Sequence, residues 1–133
     1  MHPRIAELVD LLDRERAGLL AAVATLPADA LERSPAPGRW SPAELIDHLR
    51  IVEDASVRLL TKRLARAREA GLGEETETSS VLDRLDAAAI VDGSARVAPE
   101  MVRPTPGVSA ESAMTGLAAS RDALRALLDD ADG

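Results

Sequence analysis

Gly38-Arg39-Trp40-Ser41-Pro42-Ala43-Glu44-Leu45-Ile46-Asp47-His48-Leu49 is the stretch on which the fold turns. Ser41-Pro42-Ala43-Glu44 is a capping box with proline at the first helical position. The Ser41 hydroxyl is set to accept from the Glu44 amide, and the Glu44 carboxylate to reach back to the Ser41 amide. Trp40, just before the cap, is placed to staple against Leu45. From this start the spacing predicts a helix to about Ala70, stopped by Gly71 and roughly 45 Å long. Leu45, His48, Leu49 and Val52 share one stripe of it, which reads as the inward face. Arg58, Lys62, Arg63, Arg66 and Arg68 crowd its last turns, where cations suit the negative end of the macrodipole.

Working outward, Ile5, Leu8, Val9, Leu12, Leu19, Leu20 and Val23 recur at helical spacing and predict a first helix over 3–25. Gly18 inside that run implies close packing or a bend. Pro27, Pro35, Pro37 and Gly38 make 27–40 a connector, with a short helical turn near Asp29 to Glu32. After an acidic loop over 71–78, Ser79 or Ser80 is set to cap a short helix through Val81, Leu82, Leu85 and Ile90. Pro99, Pro104, Pro106 and Gly107 mark 95–108 as an irregular crossover. Ser109 caps a last helix to about Asp130, with Met114, Leu117, Arg121, Leu124 and Leu128 along one face. No segment carries a strand period long enough to build a sheet. The expectation is an all-α up-and-down bundle in one domain, 1–133, of three long helices and one short one, with antiparallel neighbours as the default.

Composition narrows the function classes. Lys+Arg is 16 and Asp+Glu 23 over 133 residues, a net charge of −7, and Trp40 is the one aromatic. That balance argues against nucleic-acid binding, which needs basic surface and stacking rings. The absence of cysteine removes disulfide scaffolds, thiolate zinc sites and cysteine nucleophiles. No run approaches a membrane span, and Glu7 and Asp10 stand where a signal peptide would be apolar. The reading expects a cytoplasmic protein with no nucleic-acid or membrane partner.

His48 is the one titratable group of interest. On an apolar face a lone histidine is either a packed core residue or a ligand. The nearby carboxylates are Glu44, Asp47 and Glu53. Only Glu44 is well placed on the helix surface to share a ligand with His48, although the capping box competes for it, and Glu53 points about 140° around the helix. If a metal were held, Glu44 or Glu53 would be the carboxylates to orient His48 from a second shell. The block from Gly38 to Leu49, followed by Val52-Glu53, resembles the signature of the DinB-like superfamily, in which a Trp-Ser cap opens the second bundle helix and a His-Leu pair follows. Ala98-Pro99, Arg103-Pro104-Thr105 and Ala119-Ser120-Arg121-Asp122-Ala123-Leu124 support the likeness. The resemblance implies a four-helix bundle, often dimeric, and a divalent metal such as zinc or nickel held by three histidines in thiol transferases using bacillithiol or mycothiol. His48 corresponds to the first of those ligands. The other two, a His-x-x-x-His pair on a fourth long helix, have no counterpart among the two histidines here.

Two readings follow. In one, the chain is a non-catalytic bundle with an incomplete metal site and no bound ion; it forms a homodimer or binds a small molecule in a groove of Trp40, Leu45, Leu49 and Val52, continued by Leu117, Leu124 and Leu128. In the other, it is an active metal-dependent transferase or isomerase acting on a small-molecule thiol, its site completed by another chain or by further C-terminal sequence.

Overall fold

A computed structural model describes residues 1–85 and 98–131. Among these the chain is helical throughout, with no strand: α1 spans Pro3–Ala24, α2 Pro42–Glu69 and α3 Ala110–Asp130. Each helix begins where its local chemistry provides a cap. In α1, Pro3 occupies the first turn and the His2 ring accepts from the Arg4 amide through Nδ1 at 3.3 Å. Ser41 caps α2 with both halves of the capping box formed, at 3.1 and 3.0 Å. Ser109 caps α3 by accepting from the Ser112 amide, and Glu32 reaches over from the connector to take the Ala110 amide at 2.8 Å. The C-terminal end of α2 closes in a Schellman turn. Gly71 sits at φ 68°, its amide bonds Arg68 O, and the Leu72 amide bonds Ala67 O.

The expected antiparallel default holds for α1 and fails for the other pair. Ile46 packs with Ala113 and Leu117 near the start of both helices, and Arg68 pairs with Asp130 near both ends, so α2 and α3 run parallel. The physical reason is the long connection over 70–109, which returns the chain to the pole where α2 began. α1 runs against both: Arg16 meets Glu53 and Leu117 O, while Leu19 and Val23 cover the Ile46–Ala113–Leu117 core. Ala43 and Ala113, both fully buried, let α2 and α3 approach closely.

Three further local expectations are revised. The helical turn of the connector is a 3-10 turn, Ala28–Ala30, starting directly after Pro27. The short helix capped by Ser80 is a 3-10 turn over Leu82–Arg84, whose Leu82 amide does bond the Ser80 hydroxyl; Ile90 lies outside the described residues. Nothing packs within 4 Å of where a Gly18 side chain would stand, whereas a Cβ on Gly116 would run into Arg50 Cδ. The close approach is at the α2–α3 contact and not in α1.

Candidate functional site

The first three turns of α2 carry nearly all the site chemistry. Their buried face is Ala43, Ile46 and Asp47, and not the Leu45–Leu49–Val52 stripe, which stands exposed. His48 lies between the two faces and is half-buried. Its Nδ1 is 2.6 Å from Val102 O, on the 3-10 turn Glu100–Val102 that crosses α2. A carbonyl oxygen only accepts, so Nδ1 carries the proton and Nε2 keeps its lone pair in the neutral ring. Trp40 lies against the imidazole, with centroids 5.0 Å apart and planes tilted by 43°. The ring that the spacing assigned to Leu45 thus has His48 as its aromatic neighbour.

Asp47 secures the same crossing segment one step away. Its Oδ2 accepts the Thr105 amide at 2.9 Å, and its Oδ1 takes Arg50 Nε at 2.8 Å. Burial pushes the Asp47 carboxyl up, but the Arg50 and Thr105 hydrogen bonds and the Arg50 charge outweigh it and hold the group below its ordinary value. Arg50 also reaches Asp54 at 3.1 Å, and its own pKa is raised, chiefly by the Asp47 hydrogen bond. Asp47 and His48 together clip residues 102–105 onto the first half of α2.

Glu53 does not face His48. It accepts from Arg16 at 3.3 Å, from Arg121 at 3.0 Å and from the Ser120 hydroxyl at 3.0 Å, joining all three helices. The two guanidiniums finish their bonding on backbone carbonyls, Arg16 on Leu117 O and Arg121 on Leu12 O. Desolvation and the neighbouring Arg121 charge lower the Arg16 pKa, with Glu53 opposing them. Glu44 is held in the α2 cap. Neither carboxylate offered as a second-shell partner for His48 is therefore available to it; the carbonyl of Val102 takes that place. Leu117 and Leu124, expected on the groove, are buried, and Leu128 is half-buried.

The site was legible only in part. Arg121 on an otherwise apolar face of α3 was the signal for a buried carboxylate partner, and Glu53 was the matching residue. Arg16, Asp47 and Arg50 carried no comparable mark.

The donor set of one chain does not fit a three-histidine metal centre. His2 lines a cavity of about 490 Å³ with Arg4, Ile5, Leu64 and Glu75. That cavity lies at the other pole, roughly 24 Å along α2 from His48 by helical rise. Asp47 and Glu53 are engaged by arginines. Among the described residues no group of three or more histidine, aspartate or glutamate side chains is arranged to hold an ion. No described helix is long and apolar enough to cross a membrane.

Fold and site together define a class: an all-helical bundle with a parallel α2–α3 pair, opened by a Trp-Ser cap and carrying one half-buried imidazole on α2. Residues 11–133 match the family model described as the DinB superfamily, and the chain belongs to that superfamily. No curated protein and no solved structure matches it.

Proposed function

We propose that this chain is a non-catalytic DinB-superfamily bundle that works by self-association or small-ligand binding, with His48 serving as a structural clip. The supporting observation is the commitment of the donors around the imidazole. Glu44 caps α2, Glu53 neutralises Arg16 and Arg121, and Asp47 holds Arg50 and the Thr105 amide. A divalent ion at His48 would find one nitrogen, where a stable site needs three or more protein ligands. The test is calorimetric titration of zinc and of nickel into the chain and into His48→Ala. Absence of stoichiometric binding in both agrees with the proposal. Tight binding that disappears in His48→Ala overturns it.

A second reading has one observation in its favour. An imidazole whose Nδ1–H is fixed on a backbone carbonyl, with Nε2 left as a lone-pair donor, has the orientation of a metal-ligating histidine. On that reading the chain is a metal-dependent thiol transferase whose remaining ligands come from another chain or from sequence beyond these residues. Its chemistry would be a divalent ion holding a small thiol as thiolate at neutral pH. Zinc binding that disappears in His48→Ala would favour this reading, and an assay with a low-molecular-weight thiol and an electrophilic acceptor would then follow.

A further inference from the structure

Arg4 Nε is the one buried polar side-chain atom without a hydrogen-bond partner among the described residues. A buried donor left unpaired is costly, most of all on a charged group. The Arg4 side chain is 16% exposed, and a single bond of 2.9 Å from its Nη1 ties it to Glu75, which is 54% exposed. A guanidinium carries its N–H donors in a planar fork. With Nη1 on Glu75, the Nε–Nη2 edge makes no bond among the described residues. The two parallel N–H groups of such an edge match the two oxygens of a carboxylate.

Arg4 lines the cavity of about 490 Å³ at the pole where α1 begins and α2 and α3 end. A volume of this size suits a small organic molecule. Ile5 and Leu8 of α1 and Leu64 of α2, all half-buried, give the cavity an apolar wall. α1 directs the positive end of its macrodipole to this pole, and no acidic residue stands in its first turn. Glu7 and Glu77 also feel the Arg4 charge, but Glu7 is spent on the Ser80 hydroxyl and the Val81 amide, and Glu77 on the Ser79 amide. Glu74 and Glu75 line the cavity as well, and Glu74 forms no ion pair among the described residues. These two carboxylates oppose a second negative charge on any occupant, which favours a carboxylate over a phosphate.

We infer that this cavity binds an amphipathic monocarboxylate, its carboxylate on the Nε–Nη2 edge of Arg4 and its apolar body against Ile5, Leu8 and Leu64. Nε is covered as the side chain stands, so docking turns the guanidinium about its bond to Glu75. The ligand thereby supplies the partner that the fold leaves missing. The site lies at the opposite pole from His48, so the inference goes beyond the reading above and holds whichever way the zinc titration falls.

The test is calorimetric titration of octanoate, octylamine and octyl phosphate into the intact chain. Octanoate is expected to bind saturably at one per chain, and the amine and the phosphate more weakly by about tenfold or more. Arg4→Met keeps the apolar stem and removes the fork, and is expected to weaken octanoate by a similar factor. No saturable octanoate binding, equal or tighter binding of octylamine or octyl phosphate, or unchanged octanoate affinity in Arg4→Met overturns the proposal. Should Arg4→Met fail to fold, the Arg4 Nε–H resonance of the unaltered chain decides, assigned by its loss in Arg4→Lys. It is expected to shift along the octanoate saturation curve, and a resonance that stays in place contradicts the site. Failure here removes this cavity as a ligand site and leaves the role of His48 to its own titration.

Discussion

At the scale of single residues, Glu53 and His48 differ in what they hold. Glu53 is a half-buried anion between two half-buried cations, with side chains 13–14% exposed. Removing it leaves two guanidiniums without their charge partner inside the helix junction. Glu53→Ala is therefore expected to lower stability by about 3–5 kcal/mol in urea denaturation; a loss below about 1 kcal/mol would show that water screens the cluster. His48 holds one neutral hydrogen bond and one ring contact. His48→Ala is expected to cost about 1–2 kcal/mol and to leave the helical content unchanged. The position of His48 on α2 was legible from spacing. The Val102 carbonyl that its Nδ1–H meets was not, because that contact joins residues 54 apart across an irregular segment that carries no periodicity.

At the scale of elements, the caps were the most legible features, since a capping box is entirely local. Ser41, Glu44, Gly71 and Ser109 all act where their residue types place them. The facing of α2 was not local. Leu45, Leu49 and Val52 looked like the core stripe, yet the buried face is Ala43, Ile46 and paired Asp47: Ala43 meets α3 closely while Ile46 fills the space against Ala113 and Leu117. Gly116 belongs to the same contact. Gly116→Ala is expected to push Arg50 off Asp47 and cost about 1–3 kcal/mol, while Gly18→Ala, with open space around it, is expected to add about 0.5–1 kcal/mol; paired melting curves check both. The Asp47 clip also sets an acid response. Its folded pKa lies below its unfolded one, so its contribution is complete above about pH 4 and is lost as pH falls through the folded value. Asp47→Asn is expected to flatten that part of the stability-versus-pH curve, and an unchanged acid limb would contradict the assignment.

At the scale of the whole molecule, all-helical class and superfamily membership were readable from one capped helix and its His-Leu pair. Helix direction was not, because a connection as long as 70–109 permits α3 to return on either side and in either sense. The parallel α2–α3 pair it produces leaves α1 tied to them largely by long side chains, with Arg16, Arg121 and the Asp13–Arg125 pair as cross-braces. Such a bundle has a small core, and Leu45, Leu49, Val52, Leu59 and Leu60 of α2 stand exposed. On the function proposed above, the His48 imidazole clips Val102 and binds no ion. Long-range ¹H–¹⁵N correlation of the ring nitrogens, recorded without and with one equivalent of zinc, tests it most directly. An Nδ1–H tautomer whose Nε2 resonance does not move on adding zinc is expected for a structural clip; a stoichiometric shift of Nε2 to a metal-bound value would overturn that role.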